Sequence, residues 1–143
     1  MINELMESTN TSFKDIKNIV VVNGPGSFTG IRIGLSIVKT MAYSLNIPVY
    51  VISSLKSYLI SSSGYKRKSV IEDNKGYYIS IMDENDNVIL DETYMTNIDE
   101  YADVIECPNV LDVEKIISYV LNESPVTVHS IKANYVKKID LEK

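Results

Sequence analysis

The chain has 143 residues, 45% hydrophobic and 23% charged, with a net charge of −5 at pH 7, which suits one ordinary globular domain with a real core and argues against a chain that holds nucleic acid alone, since phosphate contacts need clustered Lys and Arg. A single cysteine, Cys107, excludes an intrachain disulfide, and a single histidine, His129, excludes any site with two His ligands from one chain and leaves Ser-His-Asp chemistry one candidate base. With no basic-then-apolar leader, and a longest aliphatic run of only Ile19–Val22, the chain is expected to be cytoplasmic, without a membrane partner.

In chain order, Met1-Ile2-Asn3-Glu4-Leu5-Met6-Glu7 carries apolar residues at 1, 2, 5 and 6. That helical stripe is in phase from its first residue and reads as the end of a helix. Ser12 is placed to cap a short turn that Asp15 answers. The β-branched run Ile19–Val22, bounded by Asn18 and Asn23-Gly24, predicts a strand buried on both faces. A glycine loop follows, then a helix from about Ile31 to Leu45. Ile47–Ile52 predicts a second strand, and Ser53 or Ser54 caps a short helix through Leu59. Residues 61–69, which include Lys66-Arg67-Lys68, read as a flexible basic loop.

Strand-like segments at 69–72, 76–82 and 87–94 are separated by Asp73-Asn74-Lys75 and Glu84-Asn85-Asp86, so they predict an antiparallel meander. The carboxylates Asp83, Glu84 and Asp86 are spaced as a turn and not as a catalytic pair. Asn97–Asp103 and Val110–Leu121 predict two helices. Residues 96–124 hold seven acids and one base, a net of −6, which suits a solvated acidic face or an acidic binding surface. His129 lies in an alternating segment, and a basic alternating tail runs from Ile131.

Strand, glycine loop and helix in succession can cradle an anion, because glycines let the backbone approach closely and the helix start offers free N–H groups. The spacing fails two fingerprints. A Walker loop needs Lys after its last glycine, where Ile31 stands, and the dinucleotide pattern needs glycine where Thr29 stands. An anion cradle and a tight packing turn both remain open. Ser27 and Thr29 are candidate anion ligands or nucleophiles, or simply N-caps of the helix. Arg32 is a contact for phosphate or a partner carboxylate, or a solvated arginine. In the helix, Ile31, Leu35, Val38, Ala42 and Leu45 form one apolar arc, and Ile33, Ile37 and Met41, with Gly34 between, widen it to about 200°. A helix packed on one sheet needs only somewhat over ~100°. The second half of the arc therefore faces a neighbouring helix or another protein.

The run Gly24-Pro25-Gly26-Ser27-Phe28-Thr29-Gly30-Ile31-Arg32-Ile33-Gly34 resembles the signature of the bacterial TsaB (YeaZ) family. Ser12–Ile16, Ile47-Pro48-Val49 followed by Ser53-Ser54-Leu55, Val70–Tyr78 and Ala133–Lys137 extend the likeness. The resemblance implies an α/β fold of the actin and sugar-kinase type, built from ribonuclease-H-like lobes. Residues 1–60 would be the remainder of a first lobe truncated at its N-terminus, and 61–143 a second, smaller lobe with the tail. It implies a scaffold subunit without catalytic residues of its own, which pairs with a TsaD-type transferase and a TsaE-type ATPase in threonylcarbamoylation of tRNA adenosine. The tRNA would be touched only indirectly, and homodimerisation is an alternative pairing. The interface would use Met1, Ile2, Leu5 and Met6 together with Ile33, Gly34, Ile37 and Met41. No metal or resident cofactor is implied, although a nucleotide at the partner interface is compatible with Gly24, Pro25, Gly26, Ser27, Thr29, Gly30 and Arg32. The alternative is an autonomous nucleotide- or phosphate-binding enzyme that uses the same loop.

Overall fold

The computed structural model describes residues 2–26 and 28–134; Met1, Ser27 and the tail from Tyr135 lie outside them. Helix α1 (Ile2–Ser8) and a 3-10 turn (Phe13–Asp15) lead into strand β1 (Ile19–Val22). The turn closes as expected: the Ser12 N–H donates to Asp15 Oδ2 at 2.9 Å, and this hydrogen bond holds the Asp15 carboxyl below its ordinary range. Helix α2 (Phe28–Leu45) carries the chain over to strand β2 (Val49–Ile52), which lies parallel to β1 in the register Ile19↔Val49 to Val22↔Ile52. Parallel pairing requires such a crossover. Asn46 ends α2 in the left-handed conformation, φ 54, ahead of Pro48.

β1 is half-buried instead of buried on both faces, because β2 is its one strand neighbour among the described residues. Helix α2 starts at Phe28, three residues before the expected Ile31. A first helical turn needs no apolar periodicity, since its N–H groups have no intrahelical acceptors. The early start puts Thr29 and Gly30 inside the helix, so Thr29 is not its cap.

After helix α3 (Ser54–Ser61), strands β3 (Arg67–Glu72), β4 (Tyr77–Met82) and β5 (Val88–Met95) form the expected antiparallel meander. Ser53 caps α3, its side chain accepting from the Lys56 N–H at 3.0 Å. The predicted helix over 97–103 is instead a 3-10 turn (Asp99–Tyr101), followed by the short strand β6 (Ile105–Glu106) parallel to β3. Asn97 Oδ1 accepts from the Asp99 N–H at 2.7 Å, a local turn that competes with helix. Meanwhile Ile98, Tyr101 and Val104 pack on the buried Val70, Ile79 and Ile81. The second sheet therefore has the order β5-β4-β3-β6. Helix α4 (Val113–Val120) is capped by Asp112.

The basic loop expected at 61–69 is shorter, because Arg67 and Lys68 belong to β3 and are buried. Arg67 donates Nε–H and Nη2–H to the Leu59 carbonyl at 3.1 and 2.6 Å. Its Nη1 bonds the Tyr65 and Asp83 carbonyls at 3.1 and 2.7 Å, and its Nη2 pairs with Asp86 Oδ1 at 2.7 Å. Asp86 sits in the turn of Asp83–Asn87, where backbone N–H groups donated to Asp83 keep that carboxyl below its ordinary range. Lys68 Nζ donates to the Tyr101 carbonyl at 2.9 Å. A buried charge is tolerated when polar acceptors meet it, as three carbonyls and the Asp86 carboxylate do for Arg67 and the Tyr101 carbonyl does for Lys68.

One core lies between the two sheets: Ile52, Leu59, Ile60, Met82, Cys107, Ile116 and Val120. A second joins Leu35 and Ala42 of α2 to Val49 and Ile131. Helix α3 packs on β3, β4 and α4. Past α4 the chain returns to the first sheet: the Val126 N–H donates to the Val49 carbonyl at 2.8 Å, and the Asn134 N–H to the Asn23 carbonyl at 2.8 Å. No helix among the described residues is long and apolar enough to cross a membrane.

Candidate functional site

The glycine loop joins the end of β1 to α2. Gly24 has φ +97, a conformation that side chains with a Cβ rarely adopt, and a Cβ there would stand 2.7 Å from Ile31 Cδ1. Its residue type follows from this fit of loop to helix. Around it, the Gly24 carbonyl accepts from the Ser54 N–H at 2.9 Å and from Asn134 Nδ2 at 3.4 Å. Asn23 Nδ2 donates to the Lys132 carbonyl at 3.1 Å. The loop is thus pinned between the start of α3 and the returning segment. Gly24 and Pro25 are buried, whereas Gly26, Thr29, Gly30 and Arg32 are exposed; Ser27 lies outside the described residues.

The double-width apolar arc of α2 divides in two. Leu35 and Ala42 are buried, and Ile31 and Val38 pack beside them against Ile19, Val21, Val49 and Val51. The other half is bare: Ile33 is 57% exposed and Ile37 42%, with Gly34 and Met41 half-buried. A Cβ at Gly34 would meet nothing within 4 Å. This mid-helix glycine therefore has no packing reason within the chain, although glycine there costs roughly 0.5–1 kcal/mol relative to alanine. On α1, Leu5 is exposed and Met6 half-buried. Of the expected interface residues, Met1 lies outside the described residues, as does the side chain of Ile2.

One group escaped the sequence reading. Glu92, on β5, faces a cavity of about 340 Å³ at the carboxyl ends of β1 and β2, lined also by Asn23, Ser53, Lys56, Tyr119 and Asn134. Open parallel sheets hold ligands at such strand ends. Burial raises the Glu92 carboxyl above its ordinary value, against hydrogen bonds from Ser53 and Asn134, the latter at 3.1 Å. Nothing local in Val88–Met95 marks this residue, because its surroundings come from distant segments. Lys56 Nζ lies 5.7 Å from the centre of the Tyr119 ring.

His129 is exposed on a 3-10 turn (Val128–Ser130). Cys107 is fully buried, and burial pushes the thiol up, away from nucleophilic chemistry. Among the described residues no group of three His, Cys, Asp or Glu side chains is placed to hold a metal ion.

A model of the family described as "TsaD: tRNA N6-adenosine threonylcarbamoyltransferase" matches residues 1–138. The tRNA threonylcarbamoyladenosine biosynthesis protein TsaB of Bacillus subtilis is 43% identical over 56 residues, 39% of this chain and 24% of that protein. The TsaB of Buchnera aphidicola from Acyrthosiphon pisum is 39% identical over 72 residues, 50% of this chain and 33% of its own length. The matched stretches thus span a quarter to a third of those relatives, and they bear out the resemblance read from the glycine motif. Among solved structures, YeaZ from Pseudomonas aeruginosa superposes with a TM-score of 0.77 at 15% identity, covering 94% of this chain and 80% of that one. The fold is the actin and sugar-kinase type of α/β fold expected from the motif.

Proposed function

The chain belongs to the TsaD family of tRNA N6-adenosine threonylcarbamoyltransferases, and from that premise we propose that it is a TsaB-type subunit in the biosynthesis of threonylcarbamoyladenosine in tRNA. It pairs with a TsaD-type partner that carries the catalytic groups, and a TsaE-type ATPase joins the pair. The observation that carries this reading is the bare half of α2, where Ile33 and Ile37 flank a glycine with no internal neighbour. An apolar stripe with a notch at glycine lets a second helix approach closely, an arrangement that rewards glycine at that position. Leu5 on α1 is exposed as well. The net charge of −5 supports a role in which the partner, not this chain, takes the tRNA phosphates. His129, alone and on an exposed turn, supports leaving chemistry to the partner.

The test is co-expression with the TsaD-type paralogue of the same genome, followed by size exclusion with light scattering. A one-to-one complex is expected, and Ile37→Asp should abolish it while the isolated variant keeps its circular dichroism and melting temperature. Two separate peaks with the unmodified chain would overturn the pairing. ATP raising the melting temperature of the isolated chain would favour an enzyme acting alone through the Gly24–Gly30 loop.

A further inference from the structure

Helix α4, which packs on α3 and β2, shows the same excess of apolar surface as α2. Ile116 and Val120 are buried in the core between the sheets. Beside them, Val113, Ile117 and Leu121 stand 61%, 41% and 49% exposed. Their spacing of four residues aligns them as one ridge along the helix. The apolar arc of α4 is thus wider than the area its own core covers. The ridge runs on into a groove of about 470 Å³ lined by Pro108, Val110, Leu111 and Val113 together with Ser61 and Ser62. Val110 and Leu111 are themselves exposed.

Charge says what can cover this surface. Asp112 and Glu114 line the groove, and Glu123 stands exposed two residues past Leu121, within a segment that holds seven acids and one base. That base, Lys115, has its Nζ turned to Ser63 Oγ at 3.4 Å. Carboxylates at both ends of an apolar ridge repel nucleic-acid phosphates and anionic lipid headgroups, and they attract a cationic protein segment. A ridge of residues four apart fits the groove between the ridges of another helix. From Val113 to Leu121 it spans roughly 12 Å at ~1.5 Å per residue, about two to three turns of a partner.

We propose that the α4 ridge, Val113, Ile117 and Leu121, together with the Pro108–Leu111 groove, docks an amphipathic helix with Lys- and Arg-rich flanks from a partner protein. This surface is separate from the bare face of α2 and does not depend on it. The acidic segment is a binding surface, one of the two readings its charge left open.

The probe is a fluorescent helical peptide of about four turns with leucines along one face and lysines on its flanks, titrated into the full chain and followed by anisotropy. Its mirror in charge, with glutamate for each lysine, is the comparison. Saturable binding of the lysine peptide alone is expected, weakening at high salt. It should weaken about tenfold or more with Ile117→Asp. Leu121→Asn and Glu114→Lys should each weaken it too, as surface changes that leave the melting temperature in place. Ile33→Asp on α2 should leave it unchanged. Equal binding of both peptides, or loss with Ile33→Asp in place of Ile117→Asp, would overturn the proposal. Tighter binding after deletion of residues 135–143 would show the chain's own tail to be the occupant, and a dimer broken by Ile117→Asp would show a second copy; either would overturn it as well.

Discussion

A buried arginine and a half-buried glutamate set the residue-scale energetics in opposite ways. Arg67 is clamped by three backbone carbonyls, so removing it strands acceptors in the core; removing Asp86, whose side chain is 47% exposed, strands little. Arg67→Met should therefore lower stability by about 3–5 kcal/mol. Asp86→Asn should cost about 1 kcal/mol or less, because a half-exposed partner is screened by water. Urea midpoints decide it: equal losses would mean that the ion pair, not the carbonyl clamp, holds the arginine. Glu92 works the other way. Burial raises its carboxyl above the ordinary 4.5, so the folded state holds the proton more tightly than the unfolded chain does. Below about pH 4 both states are protonated and nothing is lost. As pH rises through 4.5 and past the raised value, ionising a desolvated carboxyl costs stability. Glu92→Gln, which keeps an acceptor for Asn134, should melt higher than the parent at pH 7 and level with it at pH 4. An advantage that grows toward acid pH would contradict the desolvated carboxyl.

At the scale of the element, the two glycines flanking the start of α2 make opposite demands. Gly24 carries φ +97 and has Ile31 Cδ1 where a Cβ would go, whereas Gly34 has open space. Gly24→Ala should destabilise the isolated chain by roughly 1–3 kcal/mol. Gly34→Ala should stabilise it by about 0.5–1 kcal/mol through helix propensity, and Gly34→Leu should weaken pairing with the TsaD-type partner. A Gly34→Ala that lowers the melting temperature would mean that the glycine serves the chain itself. The arc of α2 was legible in the sequence because helical periodicity places each side chain without any knowledge of what it touches. The meander was legible for a similar reason, since Asp73-Asn74-Lys75 and Glu84-Asn85-Asp86 are turns by local chemistry. Arg67 was not legible. Its partner carbonyl at Asp83 lies 16 residues away, and a basic triplet in a serine-rich stretch looks like loop. Glu92 was hidden likewise, with Asn134 lying 42 residues distant. Residues 97–103 failed as a helix because Ile98, Tyr101 and Val104 are spent on the Val70–Ile79–Ile81 core, a tertiary demand that outweighs propensity.

For the whole molecule, the decisive feature is that the chain leaves the first sheet at Ile52 and comes back to it at Val126. Ile131 is buried against Leu35, Ala42 and Val49. Three residues on, Asn134 ties the Asn23 and Gly24 carbonyls of the first sheet's loop to Glu92 of the second sheet. The face of α2 proposed for pairing is therefore held in place by a segment about ninety residues later in the chain. This gives the two sheets different sensitivities. Ile131→Ala removes buried methyl groups at a cost of about 2–5 kcal/mol, and the hole opens beneath α2. The core of β3, β4 and β5, built on Val70, Ile79 and Ile81, does not include Ile131. Hydrogen exchange in the variant should accelerate at the amides of α2, β1 and β2 while those of β3 and β4 stay protected, since stability is distributed over units that open separately. Pairing with the TsaD-type partner should weaken in step with the loss of protection in α2. Uniform acceleration across both sheets would show a single cooperative unit instead, and the proposed interface would then stand or fall with the fold as a whole.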